Sequence, residues 1–188
     1  MTSRTAIVLC LLLPLLGFAQ EPQPARLHEV PPPNDRLFVN TEGNVRVTTA
    51  VPSAEEADAI FGVKLYRQNI QPVWVKVENL GEERLWFLPM GLDTAYFTPI
   101  ETSYRLQNRI PLLDLKPEIN EDLYRHTMGL QVDGGDSRSG YIFSRLDQGT
   151  KSFNVDVVGR NTNYTMSFFI PVPGLKLDHY KVDWHTLY

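Results

Sequence analysis

The chain has 188 residues, 43% hydrophobic, 21% charged and 11% aromatic, the profile of a globular domain rather than a disordered or fibrous chain. Its 18 basic and 22 acidic residues give a formal charge of -4, without the basic excess that a nucleic-acid partner calls for. One cysteine excludes an intrachain disulfide framework and a cysteine-rich zinc site.

The amino terminus has the layout of a secretory signal peptide. Arg4 and the terminal amine precede thirteen uncharged residues, Ala6 to Phe18, and small residues stand at Gly17 and Ala19. A membrane-spanning helix needs about twenty apolar residues, and Pro14 interrupts this run. The expected cleavage after Ala19 gives a signal peptide over 1–19. Cys10 lies inside the apolar run and would leave with it, so the mature chain would hold no thiol for nucleophilic or redox chemistry. A thiol-free exported domain suits a bacterial envelope, periplasmic or extracellular. On a eukaryotic route, Asn163-Tyr164-Thr165 would be a glycosylation sequon. Pro22, Pro24, Pro31, Pro32 and Pro33 then make 20–36 read as an extended tether or a plain unstructured end.

From residue 37 to 188 one domain is expected, made of short β-type runs. Asn44–Ala50 alternates and is rich in β-branched residues. Pro72–Asn79 is the clearest strand, with Val73, Val75 and Val77 on one face and Trp74, Lys76 and Glu78 on the other. Leu80–Arg84 reads as a turn, with Leu85–Leu88 as the returning strand. Ser139–Arg145 and Lys151–Val157 flank a turn at Asp147–Gly149, with Phe153, Val155 and Val157 facing inward. Asn163–Ile170 follows, with Tyr164, Met166, Phe168 and Ile170 on one face and Pro171 and Pro173 ending it. Two stretches read as helices. Ser53 to Glu56 has capping-box spacing, with Ala57, Ile60 and Phe61 on one side and Gly62 as the closing residue. A second is expected over about 118–127. The sum is a mainly β chain, an antiparallel β-sandwich with one or two short helices and no bound cofactor.

Phe61–Tyr66, Ile70–Asn79, Leu92–Pro99 and Ser139–Phe143 with the following Gly turn and Lys151 resemble a group of uncharacterised bacterial exported proteins. The V-x-V-x-N strand and the later S-G-Y-I-F strand are also similar to immunoglobulin-like modules of the bacterial envelope. The likeness spans roughly residues 45–175. It implies an exported immunoglobulin-like fold and transfers no catalytic residue.

No G-x-S-x-G elbow occurs, and Gly135–Gly140 has the wrong spacing for one. Asp133-Gly-Gly-Asp136 reads as a turn, not an EF-hand loop. The adjacent acidic pairs diverge on helices and strands alike, which leaves Asp93 and Glu101, flanking Tyr96-Phe97, as the more interesting carboxylates. In an extended strand His179, Asp183 and His185 would share a face, a set able to ligate zinc or iron in a small metal-dependent hydrolase. A solvated polar edge is the plainer reading of the same residues. Trp74, Trp86 and Phe169 fall on nominally outer strand faces. Either the first helix and the 89–138 segment cover them, the favoured explanation, or they form a partner surface. The long 89–115 segment carries Tyr96, Phe97 and Tyr104 on what reads as a loop. The leading expectation is therefore a non-catalytic accessory module that binds an envelope protein through Trp74, Trp86, Asp93, Tyr96, Phe97 and Tyr104 and a sheet edge.

Overall fold

Alternation along one strand sets the plan of the molecule. In the computed structural model, which describes residues 30–89, 96–109, 117–147 and 149–173, the strand β3 (Ile70–Asn79) buries both of its faces. Val73, Val75 and Val77 enter one apolar layer, and Ile70 and Trp74 enter another on the opposite side. The pleat sends successive side chains to opposite faces, so a strand this apolar on both sides must lie between two covers.

Around β3 stand β1 (Phe38–Glu42), β2 (Val45–Ala50), β5 (Tyr96–Phe97) and β7 (Ser137–Arg145). They form a five-stranded antiparallel sheet in the order β1-β2-β3-β7-β5. The second sheet is built from β4 (Leu85–Leu88), β6 (Gln131–Val132), β8 (Thr150–Val158) and β9 (Asn163–Pro171). Its four strands run in the order β6-β4-β8-β9. Leu85 and Phe87, Phe153, Val155 and Val157, and Met166, Phe168 and Ile170 face the valines of β2 and β3. Phe153 and Phe168, paired across β8 and β9, stack at 5.5 Å between ring centroids. Burying each such side chain is worth about 1.5–3 kcal/mol, so this layer is the main source of cohesion.

The far side of the five-stranded sheet carries the helices. α1 (Ala54–Phe61), α2 (Pro99–Arg109) and α3 (Pro117–Arg125) supply Phe61, Leu106 and Leu123 to a second apolar layer, with Val63 and Leu65 after α1. They pack on Trp74, Tyr141, Phe143 and Ala50. Thus the molecule is mainly β, two antiparallel sheets face to face with a helical layer on one of them.

The elements form where local chemistry allows. Ser53 Oγ accepts from the Glu56 N–H at 3.2 Å and the Glu56 carboxylate accepts from the Ser53 N–H at 2.7 Å, closing the expected capping box. Gly62 ends α1 in the left-handed region, its N–H donating to Asp58 O. β1 was not anticipated from sequence. It is joined to β2 through Gly43 and Asn44, with Gly43 at φ 55°.

Two expected hairpins are corrected. Leu85–Leu88 does not return beside β3, and β8 does not return beside β7. β4 pairs with β6 and β8, in the other sheet, and β8 pairs with β4 and β9. Both turns are arches that carry the chain between sheets. The inward residues then meet across the apolar layer instead of side by side. Asn79 pins the first arch. Its side-chain amide donates to Glu83 O at 2.6 Å and Asp133 O at 3.2 Å, and its Oδ1 accepts from the Gly81 N–H at 3.1 Å.

Candidate functional site

The structure separates the expected site residues. Trp74 lies on the helix-covered face of the five-stranded sheet and is 3% exposed. Trp86 lies on the outer face of the four-stranded sheet, 42% exposed, with Leu88 following it on that face. The two tryptophans therefore belong to opposite sides of the molecule. The cover favoured for Trp74 is present, whereas Trp86 and Phe169 remain exposed. Asp93 lies outside the described residues, and so do His179, Asp183 and His185. Among the described residues no three potential metal ligands cluster, and no helix is long and apolar enough to cross a membrane.

Tyr96, Phe97 and Tyr104 lie on consecutive elements, β5 and α2, but their side chains go to different places. β5 is the edge strand of its sheet, paired with β7 through Tyr96 opposite Ser144 and Phe97 opposite Phe143. Phe97 is buried, and the Arg105 guanidinium sits 3.9 Å from its ring centroid. Tyr96 is half-buried against the layer between the sheets. Burial, helped by the nearby Glu101 charge, pushes its phenol up.

α2 emerges directly from this strand, where the sequence suggested a loop. Its start is a second capping box: Thr98 Oγ1 accepts from the Glu101 N–H at 3.2 Å and Glu101 accepts from the Thr98 N–H at 2.8 Å. Thr98-Pro99-Ile100-Glu101 carries that signal openly, with proline at the first helical position, and it was the cue available for finding this helix. Glu101 is thus a cap. The Thr98 hydrogen bonds hold its carboxyl below the usual range. Thr102, Ser103 and Leu106 face inward and Ser103 hydrogen-bonds Asn120 of α3, while Ile100 and Tyr104 stand 65% and 63% exposed. They are four residues apart and so one helical turn apart on the same face.

A second feature crosses the helical side. Val30–Arg36, expected in the tether, lies against the domain. The Val30 carbonyl accepts from Trp74 Nε1 at 2.8 Å and from Ser139 Oγ at 2.9 Å. Asn34 and Arg36 both donate to the Glu56 carboxylate, at 2.9 and 2.7 Å. On one side of the prolines a hollow of about 350 Å³ is lined by Glu56, Ile60, His126 and Tyr141. On the other, a hollow of about 390 Å³ is lined by Thr48, Trp74, Lys76 and Ser139.

The first hollow gathers a carboxylate, an imidazole and a phenol, of which the carboxylate and the imidazole already hold hydrogen bonds. Burial pushes the Glu56 carboxyl up, but the Ser53, Asn34 and Arg36 donors and the Arg36 charge more than offset this and hold it below its usual value. His126 Nδ1 lies 2.7 Å from the Asp122 carbonyl, which can only accept, so that nitrogen carries the proton. Burial, with a contribution from Glu56, pushes the Tyr141 phenol well above its ordinary value. Glu56 is thus held as the helix cap, and His126 is hydrogen-bonded through Nδ1. No protein-family model matches the chain, and no curated protein matches it either.

Proposed function

We propose that this chain is a non-catalytic, exported binding module of the bacterial cell envelope, an immunoglobulin-like sandwich that docks a protein partner through β5, α2 and the adjoining sheet edge. The observation that carries the reading is the pair Ile100 and Tyr104. Both are about two-thirds exposed, one turn apart, on a helix whose other side is anchored by Phe97, Ser103 and Leu106. A rigidly held apolar and aromatic ridge loses little conformational freedom on binding, and tyrosine is enriched at interface hot spots. Two antiparallel sheets meeting over one apolar layer support the immunoglobulin-like description. The helical layer is an addition to that plan. The amino-terminal sequence supports export to the periplasm or beyond.

A photo-reactive residue at position 104, activated in intact cells, tests this. The expected result is one discrete adduct that Ile100→Asp abolishes and that a probe at Ser152, on the four-stranded face, does not form. No adduct from position 104, or the same adduct from both probes, overturns it.

A further inference from the structure

The geometry points to a second binding site, a groove on the outer face of the five-stranded sheet that recognises proline-rich extended segments of another protein and that the chain's own Val30–Pro33 occupies. Proline has no N–H, so a proline-rich segment can offer a protein only carbonyls and ring faces. Recognition sites for such segments pair aromatic surface with side-chain donors aimed at a carbonyl. That is the arrangement at Trp74. The indole Nε1–H and the Ser139 hydroxyl, from adjacent strands, converge on the single carbonyl of Val30, immediately before three prolines. Proline restricts its own φ and biases the preceding residue to an extended shape, so Val30–Pro33 presents that carbonyl at small entropic cost.

The resident segment fits the groove without filling it. Pro31 and Pro32 remain exposed. Hollows of about 350 and 390 Å³ open on either side of them, and Val30, Pro31 and Pro32 line both. The groove therefore extends beyond its occupant. The outer anchor is the Glu56 carboxylate, which takes an amide hydrogen bond from Asn34 at 2.9 Å and an ion pair from Arg36 with side chains 49% and 29% exposed, the ion pair being a class of contact that contributes little. A ligand that makes the same carbonyl contacts and also uses the flanking hollows would displace the resident segment. This surface is separate from the Ile100–Tyr104 ridge, and the inference does not rest on the partner proposed there.

The test uses the mature chain and a labelled synthetic peptide of its own residues 26–34, followed by fluorescence anisotropy. The combined changes Pro31→Gly, Pro32→Gly and Pro33→Gly loosen the resident segment, and circular dichroism verifies folding. The loosened protein is expected to bind the peptide saturably, at least about ten-fold tighter than the parent, in which the occupied groove is competent about a tenth of the time or less. Ser139→Ala in the loosened protein is expected to weaken binding about five-fold, the equivalent of one hydrogen bond. Trp74→Phe, which keeps an aromatic ring and removes the donor, is expected to act likewise. A peptide with its three prolines replaced by alanine is expected not to bind. The proposal is overturned by a folded loosened protein without saturable binding, or by equal binding of the alanine peptide. Loosened protein that dimerises instead of binding peptide overturns it too, because the occupant is then a second copy.

Discussion

Glu56 joins three parts of the chain through one carboxylate. It closes the capping box of α1 and receives Asn34 and Arg36 from the strap that leads into the fold. Its acidity in the folded protein lies below the ordinary value, which fixes the sign of the pH effect. A carboxyl with a depressed folded pKa stabilises the protein above its unfolded value of about 4.3 and loses that contribution as pH falls through the folded value. The stability gap between the parent and Glu56→Gln, read from urea midpoints, is expected to be largest near neutrality. It should shrink steadily from about pH 5 downward. A gap independent of pH would show that the carboxylate contributes no charge-dependent stability. Lys151 shows the opposite economy of burial. It shares the inward parity of Phe153 and Val155, yet at 1% exposed it donates to Asp147 at 2.8 Å and to Arg145 O at 3.0 Å. A buried ammonium is tolerable because these partners replace water.

At the scale of elements, two motif residues prove to be close-packing devices. The asparagine of V-x-V-x-N is Asn79, the pin of the first arch. The glycine of S-G-Y-I-F is Gly140, where the chain after α3 runs hard against β7. Tyr141 N–H donates to His126 O at 2.6 Å and Met128 N–H to Tyr141 O at 3.0 Å. A Cβ on Gly140 would stand 2.5 Å from Met128 N and 2.6 Å from its Cα, backbone atoms that cannot turn aside. Gly140→Ala is expected to cost about 1–3 kcal/mol, the usual penalty of overpacking, measured by urea denaturation. A loss below about 0.5 kcal/mol would mean that the 126–128 segment is free to move away. Strand interiors such as β3, β8 and β9 were legible because period-two alternation is intrinsic to a pleated half-buried chain. Their partners were not, since alternation names a face and never a sheet; hence both arches read as hairpins. β5 and β6, two residues each, are too short to show any period. Within the candidate site, Tyr104 was named from the sequence as part of a loop, whereas it stands exposed on α2. The helix beneath it was announced only by Thr98 and Glu101. Val30 offered no cue, because its contribution is a main-chain carbonyl.

Across the whole molecule the five-stranded sheet is shared property. Its one face completes the layer between the sheets and its other completes the layer under the helices. Neither layer survives the loss of that sheet, so unfolding is expected to be a single transition. With Trp86 and Trp184 replaced by phenylalanine, Trp74 alone reports on the helical side. Its fluorescence midpoint in urea is expected to coincide with the far-ultraviolet circular dichroism midpoint. An earlier fluorescence transition would mean that the helices detach while the sandwich persists. The position of Val30 has a directional meaning as well. Because it is fastened to Trp74 and Ser139 on the helical side, the described chain starts there. The exposed side chains of Trp86 and Phe169, on the other sheet, face away from that starting point.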